Sequence, residues 1–206
     1  MNITSKSVRA LRHHVKAVAA AAIVLGVSQS PLALADDYVI DTKGSHAFIQ
    51  FRVKHLGYSW LYGRFNTFDG EFSYDPKKPE ASSVEVNVDM TSLDTNHAER
   101  DTHLAGARYL DFKKHDSASF KSTSYKPTGE GKGELTGELT FFGVTKPLTI
   151  EVEHIGGGQD PWGGFRQGFE GRAVMTPKDW GLDMASKLGP AAAQVELMLS
   201  VEGVKK

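Results

Sequence analysis

The chain has 206 residues, a formal net charge of −1 at pH 7 and no cysteine. This charge balance argues against nucleic acid as a partner, because nucleic acids are bound through a clustered basic surface. Without cysteine there is no disulfide framework, no thiol catalysis and no cysteine zinc site, so a packed core must hold the chain together.

The first 35 residues have the pattern of a secretory signal peptide. Four basic residues precede an apolar run at 17–27, and small residues at 33–35 offer a cleavage site. The run of about eleven residues is shorter than the roughly twenty that span a bilayer, so we expect no stable membrane anchor. Cleavage would leave a single domain over 36–206 with a net charge of −5. The expected location is the bacterial periplasm.

Most of the remaining chain alternates apolar and polar residues with the period of a half-buried strand. In one segment, for example, Ile49, Phe51 and Val53 share one face. Strands are predicted at 38–41, 47–55, 61–74 with a bulge near Asn66 and Thr67, 83–91, 118–125, 133–142, 148–155, 165–176 and 194–204. The glycine-rich stretch 156–164 predicts a flexible hairpin tip that carries Trp162.

One stretch departs from this alternation and predicts a short helix near 96–110. Asn96 can act as its N-cap, and Glu99 stands three residues later, in the capping-box position. Gly106 offers a C-terminal stop. The helix has few apolar residues, so we expect an insertion between two strands that lies against one end of the fold.

Eight or nine one-sided strands joined by short turns must close on themselves, because an open sheet would expose two edges and an apolar face. The predicted fold class is all-β, a single antiparallel barrel of about eight strands, with a two-sheet sandwich as the alternative. An outer-membrane barrel points its apolar residues outward, which alternation alone does not distinguish. An outer-membrane barrel is disfavoured by the charged residues on the polar faces and by the ending of the chain, namely Lys54, Glu151, Glu153, Glu196 and Lys206.

The face opposite these charged residues is almost wholly apolar and could line a lumen. The predicted ligand-binding residues are Ile49, Phe51, Val53, Phe65, Phe68, Phe72, Val86, Val88, Phe120, Leu139, Phe141, Ile150, Val152, Phe169, Met175, Leu197 and Leu199. At roughly 0.8 kcal/mol for each buried CH₂, a short apolar chain would gain several kcal/mol of binding free energy. The same side chains could instead pack a closed core, and the residues alone leave both possibilities open.

The three tryptophans are predicted at strand ends or in loops. Trp60, Trp162 and Trp180 each combine a large apolar ring with one polar atom, which suits the mouth of a tunnel. Ordinary packing at strand ends is the alternative for the same residues.

The predicted helix holds the densest group of ionisable residues, namely His97, Glu99, Arg100, Asp101 and His103. Its two histidines are six residues apart and point in different directions on a helix, and the zinc-protease pattern H-E-x-x-H is absent. Capping and local ion pairs account for the group. A periplasmic hydrolase or metal-dependent enzyme using His97 and His103 is the alternative function, and otherwise we predict no catalytic residue, metal or cofactor.

Four stretches resemble the YceI-like family of secreted bacterial proteins, in the order in which that family has them. They are FRVKHLGYSWLYGRFNTFDGEF at 51–72, the region 88–120 around NHAERDTHL, LTFFGVTKP at 139–147 and DWGL at 179–182. The resemblance covers about Asp37 to Val204. It implies a lipocalin-like barrel, without a catalytic motif, that binds an isoprenoid lipid such as a polyprenyl chain or a quinone-type molecule. If the protein forms an oligomer, we expect a dimer.

Overall fold

Eleven strands form one antiparallel sheet within residues 35–206, the part of the chain that the computed structural model describes. The predicted signal peptide therefore lies outside the described residues, apart from Ala35. The strands are β1 (Asp36–Ile40), β2 (Phe48–His55), β3 (Ser59–Phe65), β4 (Phe68–Tyr74), β5 (Ser83–Asp89), β6 (Leu93–Asp94), β7 (Ser117–Gly129), β8 (Lys132–Phe141), β9 (Val144–Gln159), β10 (Phe165–Met175) and β11 (Val195–Lys205). The helices are α1 (Ala98–Ala105), α2 (Met184–Leu188) and the 3₁₀ turns Pro79–Ala81, Met90–Ser92, Pro177–Trp180 and Pro190–Ala192.

Eight of these strands close into a barrel, because β1 pairs with both β4 and β11. The order around the barrel is β1, β4, β5, β7, β8, β9, β10 and β11. Strand β11 pairs with β2 over its first part, Val195–Ser200, and with β1 over its last part, Gly203–Lys205. Strand β2 therefore takes the place of β1 beside the first part of β11. Strands β3 and β6 follow β2 in the same extension. The prediction of an antiparallel barrel of about eight strands is confirmed.

The bulge predicted near Asn66 and Thr67 is a break that separates β3 from β4. The main-chain N–H of Asn66 donates to the carbonyl oxygen of Ser92 at 3.2 Å, and that of Thr67 donates to Ser92 Oγ at 2.9 Å. These bonds satisfy two main-chain N–H groups that are not paired with a neighbouring strand. Because of the break, β3 pairs with β6 while β4 pairs with β5.

The first four residues of the glycine-rich stretch are strand, so the prediction of a flexible hairpin tip over 156–164 is wrong for 156–159. Strand β9 continues to Gln159, and the hairpin tip is only 160–164. The Gln167 side chain lies over Gly157, where an added Cβ would be 2.1 Å from its Oε1. Asp160 Oδ1 fixes the tip by accepting from the main-chain N–H groups of Trp162 at 3.0 Å and Gly164 at 2.7 Å.

Helix α1 is present at the predicted position, but its cap is not Asn96. The N-cap is His97, whose Nδ1 accepts from the main-chain N–H of Arg100 at 3.2 Å. Asn96 has a positive φ of 60° and donates its main-chain N–H to Asp94 Oδ1 at 2.8 Å, so it belongs to the preceding turn. Helix α2 has no counterpart in the predictions, because five residues are too few to show a helical period.

The apolar faces of the barrel strands point inward and form two packed clusters. One cluster contains Phe120, Leu148, Ile150, Ala173, Met175 and Trp180, and the other contains Tyr38, Ile40, Ala47, Phe72 and Tyr74. Charged residues face outward and pair across strands, as Lys121 and Glu85 do at 3.0 Å. An outer-membrane barrel would have the opposite arrangement. Within residues 35–206, no helix combines the length and apolar character needed to cross a bilayer.

Candidate ligand-binding site

The interior of the barrel holds a cavity of about 200 Å³. Nine strands contribute to its wall, because every barrel strand and β2 send at least one residue to it. The alternation of each strand explains this, since every second side chain must point inward. Most of the wall is aliphatic or aromatic, so the cavity suits an apolar ligand.

The structure brings twelve of the seventeen predicted ligand-binding residues to this wall. They are Ile49, Phe68, Phe72, Val86, Val88, Phe120, Leu139, Ile150, Val152, Phe169, Leu197 and Leu199. The five that do not border the cavity are Phe51, Val53, Phe65, Phe141 and Met175. Contact between any of these side chains and a ligand stays a prediction.

Three of the five residues lie on β2 and β3, where these strands extend past the closed barrel. The Phe51 ring lies across Gly63, where an added Cβ would be 2.3 Å from Phe51 Cζ. It also packs against Phe65, with ring centroids 5.7 Å apart. The other two, Phe141 and Met175, pack in the cluster that contains Trp180. Phe51, Phe65, Phe141 and Met175 therefore pack against neighbouring residues at positions that do not border the cavity.

Several wall residues were missed by the sequence reasoning, although a signal for some of them exists. Val84 stands two residues before Val86 in the same alternation, and Leu148 stands two residues before Ile150. Polar wall residues such as Ser82 and Tyr125 gave no signal, because apolar periodicity selects against them.

Of the three tryptophans, only Trp180 packs into the barrel. It is 3% exposed, and its Nε1–H donates to the carbonyl oxygen of Leu139 at 3.0 Å. Trp60 lies on β3 with the Arg52 guanidinium 4.1 Å from its ring centroid. Trp162 is 79% exposed on the hairpin tip. Trp180 therefore packs against the lumen wall near the end of β10, while the other two lie on the outside.

Aromatic rings crowd the cavity toward the beginning of β10. Phe169 meets Tyr74 edge to face with centroids 5.1 Å apart, and meets Phe72 in the same way at 5.4 Å. His154 lies beside this group, and its Nε2 is 2.7 Å from Gln167 Oε1. Burial raises the pKa of the Tyr74 phenol, and so does the nearby charge of Asp75. This phenol is therefore neutral at physiological pH.

The ionisable residues of α1 serve the local structure. Asp101 Oδ1 accepts from the main-chain N–H of Thr95 at 3.0 Å and from Thr95 Oγ1 at 2.5 Å. Arg100 Nε donates to the same Thr95 Oγ1 at 2.7 Å. These bonds join the start of the helix to the chain that enters it. Among the described residues, neither His97 nor His103 belongs to a group of three side chains with the spacing of metal ligands.

Asp41, His46 and Glu202 do bring their ligand atoms within 4.8 Å of one another. An arginine already occupies the centre of this group. Arg166 Nη1 donates to Asp41 Oδ2 at 2.7 Å and to Glu202 Oε1 at 2.5 Å, and Arg166 Nε donates to Asp160 Oδ2 at 2.9 Å. The group is best described as an ion-pair network that joins β10, β11 and the residues after β1.

Acid is expected to weaken the fold through this network. Hydrogen bonds from Arg166, then from His46 and the main chain of Gly44, hold the pKa of Asp41 well below its usual range. The folded-state pKa is thus below the unfolded value of about 3.9, so the stabilisation is complete above pH ~4 and is lost as the pH falls further. Urea unfolding at a series of pH values should show a shallower acid slope for Asp41→Asn than for the wild type. The exposed Glu138→Gln variant is the control and should keep the wild-type slope.

The closed barrel with an apolar lumen is of the lipocalin type, a class whose eight-strand members have room for one small ligand. Residues 38–203 match the YceI-like domain, and the chain belongs to the YceI-like family. The UPF0312 protein of Ectopseudomonas mendocina is 53% identical over 189 residues, which cover 91% of this chain and 98% of the relative. A UPF0312 protein of Vibrio cholerae is 55% identical over 172 residues, covering 84% and 89%.

Solved structures share the same fold. BcnA of Burkholderia cenocepacia superposes with a TM-score of 0.70 at 21% identity, over 79% of this chain and 98% of that one. The YCEI protein of Campylobacter jejuni gives 0.68 at 25% identity, over 75% and 90%. A polyisoprenoid binding domain from Saccharophagus degradans gives 0.59 at 12% identity, over 84% and 99%.

Proposed function

We propose that this protein is a non-enzymatic periplasmic binding protein that holds a long isoprenoid or similar amphipathic lipid in the barrel lumen. The single observation that carries this proposal is the apolar cavity inside the closed barrel. A saturated or isoprenoid tail needs no directed contact, because leaving water already provides roughly 0.8 kcal/mol for each buried CH₂. The fold shared with a polyisoprenoid binding domain supports an isoprenoid as the tail.

Two further features support the proposal. The secretory pattern of residues 1–35 supports a periplasmic location. The role of a carrier or store is favoured over catalysis because the conspicuous polar groups have structural partners. His97 caps α1, Asp101 binds Thr95, and Arg166 forms ion pairs with the surrounding carboxylates.

Extraction of the purified protein with organic solvent, followed by mass spectrometry, tests this proposal directly. We expect an isoprenoid in a ratio approaching one molecule per barrel, or stoichiometric uptake when the emptied protein is given an isoprenoid alcohol. A variant with a filled lumen, Ala118→Phe, is the matched control and should return little lipid from the same cells. Repeated absence of lipid together with no uptake would refute the proposal.

A further inference from the structure

Three residues that carry hydroxyl groups border one end of the largely apolar cavity. Tyr74, Ser82 and Tyr125 all border the cavity. Strands β4 and β5 pair up to Ser73 and Ser83, which sets Tyr74 and Ser82 beside each other just past that register. Strand β7, which carries Tyr125, packs against the 3₁₀ turn that precedes Ser82. Three elements thus bring hydroxyl-bearing side chains to the same end of the cavity.

Two polar atoms at this end lack the hydrogen bond that buried groups normally have. Ser82 Oγ and Asp75 Oδ2 are buried without a partner among residues 35–206. Asp75 is 9% exposed, and only its Oδ1 is engaged, by the main-chain N–H of Lys77 at 2.8 Å. Folded proteins leave few such atoms unpaired, because each has lost water without gaining a partner. Ser82 borders the cavity, so a ligand oxygen at this end would supply the missing bond once the serine side chain turns its buried Oγ toward the lumen.

The phenols beside Ser82 are suited to the same task. Burial raises the pKa of both Tyr74 and Tyr125, so both keep their protons at physiological pH. A neutral phenol can donate one hydrogen bond and accept another. Together with the serine hydroxyl, the two rings offer both donors and acceptors to a ligand oxygen.

The electrostatic surroundings disfavour an anionic ligand. No lysine, arginine or histidine borders the cavity among the described residues, while Glu170 does. The buried Asp75 follows Tyr74 in the chain, and its charge helps to raise the pKa of that phenol. His154 is nearby, but its Nε2 already faces Gln167 Oε1. Lys77 and Lys78 are exposed, so water and salt screen their charges. A phosphate in this cavity would be desolvated without a compensating cation.

We propose that Tyr74, Ser82 and Tyr125 form a head-group site that selects lipids with a neutral hydrogen-bonding oxygen, such as a hydroxyl group, over lipids with a phosphate. This inference rests on the proposed function, since it assumes that a lipid tail fills the rest of the lumen. The hydroxyl cluster would fix which end of the lipid lies at the Tyr74 end of the barrel. The apolar wall beyond it would take the tail without regard to direction.

Three probes with the same tail test this site: geranylgeraniol, geranylgeranyl phosphate and the corresponding hydrocarbon. Dissociation constants are measured on the emptied protein, as purified from the periplasm, by displacement of a fluorescent lipid. We expect the wild type to bind the alcohol at least about tenfold more tightly than the phosphate, and about three- to tenfold more tightly than the hydrocarbon.

Ser82→Ala and Tyr125→Phe should each remove most of the preference for the alcohol over the hydrocarbon, with hydrocarbon affinity unchanged. Retained hydrocarbon binding shows at the same time that the variant is folded. The matched controls are Ser124→Ala and Tyr58→Phe, which alter exposed side chains and should behave as the wild type. Asp75→Asn keeps an acceptor for Lys77 but loses its charge, so it should raise the affinity for the phosphate and leave that for the alcohol unchanged.

The outcomes separate the two proposals. If the phosphate binds as tightly as the alcohol, or if the serine and tyrosine variants keep the full preference for the alcohol, the head-group site is refuted while lumen binding stands. If the wild type binds none of the three probes, the proposed function fails and the head-group site fails with it.

Discussion

Replacing Ala118 with phenylalanine is expected to weaken binding of an isoprenoid alcohol by at least about tenfold. Ala118 is a buried residue of β7 on the cavity wall, so the added ring enters space that a lipid tail would use. Excluding only two CH₂ groups from burial removes roughly 1.6 kcal/mol, which already exceeds the 1.4 kcal/mol that corresponds to a factor of ten. The dissociation constant measured by displacement of a fluorescent lipid gives the result.

The fold should survive this change. Overpacking a dense core costs about 1–3 kcal/mol, but a ring that enters an existing cavity avoids much of that cost. The urea midpoint should therefore stay close to that of the wild type. Val174→Phe adds a ring on the outside of β10, where the residue is 57% exposed, and is the control that should bind normally. Normal binding by folded Ala118→Phe would mean that the ligand does not occupy the cavity.

The sequence predicts which residues form strands because alternation is a local property. In β5 the pattern Val84, Val86, Val88 is visible without any knowledge of the partner strands. Closure of the barrel is different, since it depends on pairing between β1 and the last residues of β11. These two segments lie at opposite ends of the domain's sequence. No local pattern reports that contact. It could be inferred only from the general need to cover two sheet edges, which does not specify the pairing.

The cavity wall was predicted in part for a related reason. Alternation says which side of a strand is apolar, but it does not say how far along the barrel a residue lies. Phe51 and Phe72 have equivalent patterns, yet only Phe72 borders the cavity, because β2 runs into the extension beyond the closed barrel. Tyr125 illustrates the opposite failure. Alternation from Phe120 places it on the other face of the strand, but a register shift between Ser122 and Ser124 brings it to the cavity wall.

Local capping shows the same limit on a smaller scale. Asn96 is the better N-cap by residue type, but Asp94 binds its main-chain N–H and leaves the cap to His97. The predicted start lies within about two residues of the observed start at Ala98, as expected for helix boundaries, but the helix ends at Ala105 and not near 110. The break in alternation and the capping residues thus identified the helix, and the hydrogen bond from Asn96 to Asp94 decided its first residue.

Replacing Trp180 with alanine is expected to lower the free energy of unfolding by about 3–5 kcal/mol, as for other large aromatic residues in a core. Trp180 belongs to the packed cluster that contains Phe120, Leu148 and Ile150, which are themselves on the cavity wall. Its removal therefore leaves a void beside the lumen and removes the hydrogen bond from Nε1 to the carbonyl oxygen of Leu139. Urea unfolding monitored by far-ultraviolet circular dichroism measures the loss.

Two further variants divide this effect into its causes. Trp180→Phe keeps most of the apolar contact and loses the hydrogen bond from Nε1, so it should cost about 1–2 kcal/mol. Trp162→Ala removes an exposed ring of the same type and should cost less than about 1 kcal/mol. Equal losses for the two alanine variants would contradict the buried role of Trp180. Trp180 lies just after the end of β10 and packs beside the lumen. Removing its ring should therefore also weaken lipid binding, because water would reach a bound tail at that end of the barrel.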